Sequence, residues 1–366
     1  MNSIPHKDGY AVWALTTNGV GLACAIAAHI ASVDIYLSRS LESETAIKTP
    51  AGTRFFASLS DSLATVFHRY RGHIFITSTG IAVRVTAPLL RGKTVDPAVV
   101  VVDDSGKYAI SLLSGHIGGA NALTQKVSHI TGAEAVITTA TDVNRRPAID
   151  TLAVERSLFI ENPAAIKDVN MAILRNQRLE FHDPYRLMVV ALDPSMVNVA
   201  DPPATPDALS IWPGMVERAG VFIDDIRVDL PPHVLILRPA TLVAGIGCNR
   251  NTAKKEIMGL LEKVLDRNNL SPYSLKAIAT ASLKKDEPGL LAAAGAYGLP
   301  IRFYEKDELN RVEHIITPSE MAKKHIGVKS VCEAAALLAT AGGNLIVTKQ
   351  KTLNVTVAIA RIAFTS

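Results

Sequence analysis

The chain has 366 residues, 48% of them hydrophobic and 20% charged, which is enough to bury more than one core and excludes wholesale disorder. Its 38 Lys and Arg against 34 Asp and Glu leave a net charge of +4, without the concentrated basic stripe of a nucleic-acid binder. Mean hydropathy is +0.21, yet the longest strongly apolar run, Pro97-Ala98-Val99-Val100-Val101-Val102, ends at Asp103-Asp104, far short of the roughly 20 residues of a spanning helix.

Taken in chain order, the polar start (Pro5, His6, Lys7, Asp8) carries no signal-peptide apolar region, so the cytoplasm is the expected compartment and no membrane partner is expected. Residues 10–16 read as a short strand, broken by Asn18-Gly19-Val20-Gly21 before a helical face over 22–29 and a strand over 33–37. A helix over 58–70, a strand over 73–77 and a helix over 81–90 repeat the pattern. Strands over 99–102 and 108–112 flank a turn at 103–107, where Ser105-Gly106 supplies turn chemistry. A helix over 118–130 and a strand over 135–138 complete an α/β layer with substantial parallel pairing.

From about 142 to 239 the rhythm loosens, and prolines cluster at Pro202, Pro203, Pro206, Pro213, Pro231 and Pro232. Strands are expected over 179–182, 188–192 and 221–228, with one helix over 164–175. A third segment opens with a strand over 242–248 and an amphipathic helix carrying Ile257, Leu260, Leu261, Val264 and Leu265. Strands over 277–281 and 301–304 enclose a helix over 289–297. A helix over 331–340, a strand over 345–347 and a β pattern over 352–362 close the chain. The fold class expected is α/β: an N-terminal α/β domain over 1–142, a smaller α+β middle segment over 143–236, and a C-terminal α/β domain over 237–366.

The densest polar cluster is Ser111-Leu112-Leu113-Ser114-Gly115-His116-Ile117-Gly118-Gly119-Ala120-Asn121, at a strand-to-helix turn. Ligands of open α/β sheets bind beyond the carboxyl ends of strands. Gly115, Gly118 and Gly119 let a ligand approach the backbone, and free amides at a helix start attract carboxylates. His116 can serve as acid, base or metal contact near neutral pH; the bland alternative is a solvent-facing histidine on a glycine-rich turn. Ser114 lacks a GxSxG elbow and reads as structural before nucleophilic. Thr138, Thr139, Thr141 and Asp142 leave the next strand and either orient a polar ligand or cap the succeeding segment. Gly80 and Arg84 come after another strand, where the turn offers amides and a cation. Lys93, Asp96 and the Asp103-Asp104 pair complete the inventory; a two-carboxylate metal site at the pair competes with a plain hairpin turn. In the last segment Gly245-Ile246-Gly247-Cys248-Asn249-Arg250 departs from GxGxxG at Arg250, so an acidic-group turn is the better reading than a nucleotide fingerprint. Cys24, Cys248 and Cys332 have no CxxC spacing, so neither a disulfide framework nor a zinc knuckle is expected.

These strings carry a resemblance. Gly80-Ile81-Ala82-Val83-Arg84, Asp96-Pro97-Ala98-Val99-Val100-Val101, Leu112 through Asn121 and Val136 through Asp142 resemble, in order, the cobalt-precorrin-5A hydrolase family of anaerobic cobalamin biosynthesis. Segments 243–250, 281–289 and 327–336 resemble that family's C-terminal domain, which also occurs as a separate small protein, while the middle matches mainly by position. The resemblance implies an anionic cobalt-tetrapyrrole substrate whose δ-lactone is opened by water with loss of acetaldehyde. It implies no cofactor or metal of the protein's own, since cobalt arrives inside the substrate, and makes neighbouring corrin-pathway enzymes candidate partners. On this reading Arg84, Lys93 and Arg250 hold carboxylates, and His116, Ser114, Asp142 and Asp104 are the catalytic candidates. Gly80, Gly115, Gly118, Gly119, Asn121, Thr138, Thr139 and Thr141 join the substrate-binding set. His116 is expected to be the most informative of these, and Gly80, Arg84, Ser114, His116, Asn121, Thr139 and Asp142 are expected to face one cleft. The rival reading is a non-catalytic corrinoid-binding or delivery protein.

Overall fold

The computed structural model describes residues 7–43, 50, 52–92, 95–144, 146–199, 218–313, 315–325 and 327–363. Contacts divide the chain into two compact units, one ending at Thr151 and the other running from Leu152 onward.

The first unit is built on seven strands: β1 (Lys7–Ala14), β2 (Val33–Ser38), β3 (Arg54–Phe56), β4 (Tyr70–Ile76), β5 (Ala98–Val102), β6 (Tyr108–Leu113) and β7 (Glu134–Val136). Their spatial order is β3-β2-β1-β4-β5-β6-β7. The first five run parallel, β6 turns antiparallel to β5, and β7 pairs with β6 in parallel. Alternation along β1 decides the layers: Val12 and Ala14 pack with α1 (Thr17–His29) and α4 (Ala120–Thr131), and Ala11 and Trp13 with α2 (Leu59–Val66) and α3 (Thr79–Thr86). Burial on both faces explains why β5 is apolar throughout.

The expected break at Asn18-Gly19 is instead the first turn of α1. Thr16 caps it by accepting the Gly19 N–H at 3.1 Å. A Cβ on Gly19 would lie 3.2 Å from Ala14 and Ile76, so glycine lets the helix start close to the sheet. His73 is a core histidine here: Trp13 Nε1 donates to its Nδ1 at 3.1 Å and its Nε2 donates to the Phe67 carbonyl at 2.9 Å. Burial pushes its pKa down to about 4, so it stays neutral.

The second unit holds two five-stranded sheets. One comprises β8 (Phe159–Ile160), β9 (Leu179–His182), β10 (Val197–Val199), β11 (Gly220–Ile223) and β12 (Val234–Arg238), in the order β10-β9-β11-β12-β8, with only β8 antiparallel to its neighbour. Residues 188–192, expected as a strand, form a 3₁₀ turn at Val189–Ala191. The Asp183 carboxylate accepts the N–H groups of Leu187, Met188 and Val189, and this local capping overrides the apolar run's β propensity.

The other sheet comprises β13 (Leu242–Cys248), β14 (Leu275–Ala281), β15 (Ile301–Tyr304), β16 (Asn344–Lys351) and β17 (Val355–Arg361), ordered β15-β14-β13-β17-β16. Helices Lys254–Arg267 and Pro288–Tyr297 cover one face and helix Cys332–Thr340 the other. A Cβ on Gly245 would fall 1.9 Å from the Cys332 carbonyl oxygen, so the latter helix packs closely only because β13 carries glycine there. Among the described residues no helix is long and apolar enough to cross a membrane.

Candidate active site

The loop after β6 is held by its own backbone. Ser114 takes the left-handed conformation (φ 59°) and its carbonyl accepts the Ala120 N–H at 3.0 Å, while the Gly115 carbonyl accepts the Asn121 N–H at 3.0 Å. The Gly119 N–H donates to the His116 carbonyl at 2.9 Å, and Gly119 itself, at φ 83°, precedes α4. A side chain on Gly118 would meet Ser114 Cβ at 2.3 Å and the Asp96 carbonyl at 3.1 Å. The glycines therefore first serve a tightly folded loop, and His116 sits within it.

His116 lies between two carboxylates. Its Nδ1 is 3.2 Å from Asp150 Oδ2 and its Nε2 is 3.0 Å from Asp142 Oδ2; the Thr141 hydroxyl is also 3.0 Å from Nε2. The histidine side chain is 17% exposed, Asp150 8% and Asp142 37%, so the cluster opens to solvent on the Asp142 side. The hydrogen bond to Asp150 lifts the His116 pKa above the ordinary histidine value, against burial, with Asp142 adding to the lift. Burial pushes the Asp142 carboxyl up, but hydrogen bonds from Thr139, His116 and Asn121 outweigh it and hold it below the usual range. Asn121 Nδ2 donates to Thr139 Oγ1 at 2.9 Å and to Asp142 Oδ2 at 3.0 Å, and Ser111 Oγ donates to Asn121 Oδ1 at 2.7 Å. Asn121 thus joins the loops after β6 and β7, and its amide lies where a Cβ on Gly115 would fall, 2.7 Å from Asn121 Oδ1.

Of the expected residues, the structure brings together His116, Asn121, Thr139, Thr141 and Asp142, with Gly115, Gly118 and Gly119 shaping the loop. Ser114 contributes through its carbonyl, and Thr138 is exposed between β7 and α5 (Ala140–Val143). The one-cleft expectation is corrected for Gly80 and Arg84. The end of β4 lies beside the end of β5 (Ile76 with Val102), whereas the end of β6 lies beside the start of β5 (Leu113 with Val99). Gly80, opening α3 after β4, therefore starts from the opposite sheet edge, and Arg84 is exposed on the same helix. Asp104 is also at that other edge, accepting the Thr16 hydroxyl, away from His116. Asp103 accepts the Ser105 N–H at 3.2 Å and the Tyr108 N–H at 2.5 Å, and so caps its own hairpin. Lys93 lies outside the described residues. Arg250 belongs to the second unit, in an exposed pair with Asp286 at 2.9 Å. Among the described residues no group of three or more His, Cys, Asp or Glu side chains is placed to hold a metal ion.

Asp150 is the residue that reading the sequence missed. It stands in the first turn of α6 (Ile149–Glu155), beyond the boundary drawn at 142, and the first compact unit extends to Thr151. Its signal was faint: a lone carboxylate in the otherwise apolar Ala148-Ile149-Asp150, 34 residues from His116.

Family models cover most of the chain: cobalamin synthesis G N-terminal over residues 61–142, cobalamin biosynthesis central region over 147–239, and cobalamin synthesis G C-terminus over 242–360. A cobalt-precorrin-5A hydrolase of Salmonella typhimurium is 36% identical over 350 residues, 93% of this chain and 94% of that protein. One of the same name from Priestia megaterium is 33% identical over 372 residues, 99% and 97% of the two. Protein CobE of a Sinorhizobium species is 34% identical over 113 residues, 31% of this chain and 73% of its own.

Proposed function

The chain belongs to the cobalamin synthesis G family, and from that membership we propose that it is a cobalt-precorrin-5A hydrolase, which opens the substrate's δ-lactone with water and releases acetaldehyde. The observation that carries the reading is the 36% identity spanning 93% of the chain to a protein of that name. The cobalt belongs to the substrate, so no resident cofactor is assigned. The cytoplasm is the compartment proposed, with neighbouring corrin-pathway enzymes as further partners.

The chemistry asks for two proton movements. Water adds to the lactone carbonyl and loses a proton, and the acyl–oxygen bond breaks to leave a carboxylate and an alcohol. That alcohol then loses its proton as it becomes acetaldehyde; the carbon–carbon bond breaks and its electron pair passes into the conjugated macrocycle, which takes up a proton. Our reading is that His116 moves these protons through Nε2, on the solvent-facing side of the cluster. Asp150 holds Nδ1–H and so fixes the ring, and Asp142, kept ionised by Thr139 and Asn121, stabilises the imidazolium.

Incubating the purified protein with cobalt-precorrin-5A and assaying acetaldehyde tests the reaction. Tight binding without acetaldehyde would select the delivery-protein reading instead. The site is tested separately by pH. A base acts when deprotonated, so the rate rises as pH climbs through the His116 pKa. Asp150→Asn removes the largest lift on that pKa, and the rising limb is expected to move to lower pH, with a lower plateau because the ring is no longer held. A limb at unchanged pH would remove His116 from the proton-transfer role.

A further inference from the structure

We propose that the second unit carries its own tetrapyrrole-gripping site, a cationic cavity beside the β16–β17 hairpin that reads the substrate's peripheral carboxylates. The proposal rests on the hydrolase reading and deepens it by naming where the macrocycle's rim is held. The cavity is about 1020 Å³, at the upper end of small-molecule sites. Arg250, Lys284, Lys349 and Lys351 line it, against the single acidic lining residue Glu320 among the described residues.

These cations differ in availability. Lys349 Nζ is engaged by the carbonyls of Thr317 and Pro318, at 2.8 and 2.9 Å. Lys284 is anchored in the wall, 3.6 Å from the buried Glu287, whose other oxygen accepts the Asn251 N–H at 2.7 Å. Among the described residues Arg250 pairs with the exposed Asp286, an ion pair that an incoming carboxylate can exchange. Lys351 is exposed at the end of β16, on the cavity lining.

The same lining holds two leucines that the core does not use. Leu353, at the hairpin tip, is 91% exposed, and Leu283 is 57% exposed. Exposed leucines beside lysines and an arginine suit a ligand with an apolar face and an anionic rim, which is the chemistry of a polycarboxylate tetrapyrrole. A nucleotide would instead use phosphate-binding amides, and the turn after β13 has Arg250 where a dinucleotide fingerprint needs glycine.

The test uses the full chain and metal-free uroporphyrin I, an octacarboxylate tetrapyrrole, monitored by fluorescence. Wild type is expected to bind it, more weakly at higher salt. Lys351→Glu and Leu353→Asp, both at exposed positions, are each expected to raise Kd by about tenfold, and Lys351→Arg to retain affinity. With cobalt-precorrin-5A, Lys351→Glu is expected to raise KM by a similar factor while leaving kcat within about twofold. Failure of wild type to bind, an unchanged Kd in both charge variants, or displacement of the porphyrin by ATP overturns the proposal. Absence of acetaldehyde from wild type would sink the hydrolase reading alone, because porphyrin binding needs no turnover.

Discussion

His116→Gln is expected to lower kcat for acetaldehyde release by about 10²–10⁴-fold, the range that general acid–base help supplies. The substitution is informative because glutamine keeps a polar side chain of similar reach and cannot carry a proton between water and the lactone oxygen. The ring is 3.0 Å from Asp142 and 3.2 Å from Asp150, so its removal also leaves two carboxylates facing each other without the imidazole between them. Asp150 is nearly buried and cannot recover full hydration, and some loss of stability in the first unit therefore accompanies the loss of rate. A thermal melt separates the two effects: a folded variant whose kcat stays within a few-fold of wild type would eliminate His116 as the proton carrier. His116→Ala, which removes the polar group altogether, is expected to lose at least as much. A fall confined to KM in both variants would make the histidine a substrate contact.

The largest stability effect is expected far from that chemistry, at Asp225. This fully buried carboxylate receives Arg361 through two nitrogens, at 2.8 and 2.6 Å, and the Thr241 hydroxyl at 2.6 Å. Its backbone carbonyl accepts the Ser271 N–H at 2.7 Å. Arg361 closes β17, and Asp225 lies just past β11, so the interaction ties the two sheets of the second unit together. Removing one partner of such a pair leaves the other charge poorly compensated, which costs about 3–5 kcal/mol. Asp225→Ala is expected to lower the unfolding free energy of residues 152–366 by that amount, read from urea titration monitored by circular dichroism. A change below about 1 kcal/mol would mean that Arg361 finds solvent or another acceptor, and that the pair contributes no more than a surface bridge.

The elements of the first and last segments were legible in the sequence because strands buried on both faces are short, continuous and apolar. β5 and β13 stand out from the polar turns around them for that reason. The middle was harder. Residues 188–192 have a strand's composition, and only the placement of Asp183 beneath three amide groups makes them a turn. The glycine-rich loop with its histidine, and the threonines with Asp142, were likewise visible as residue types in local strings. Those strings, together with the ordered family resemblance, were sufficient to name the reaction.

Partnership across the sheet was decided by the tertiary structure. The hairpin at Asp103–Lys107 was readable from its turn residues, and the chain reversal that it makes sends β6 and β7 in the direction opposite to β1–β5. The rule that ligands sit beyond the carboxyl ends of strands therefore applies at two different edges of one sheet. Gly80 and Asp104 fall at one edge and His116 at the other, although all three come just after strand ends in the sequence. Asp150 reaches His116 for the complementary reason: α6 folds back onto the unit after the threonine loop. Local residue patterns determine which segments are strands and turns, because capping, alternation and burial act over a few residues. Which turns face one another depends on strand direction, and that is set by pairing between residues distant in the chain.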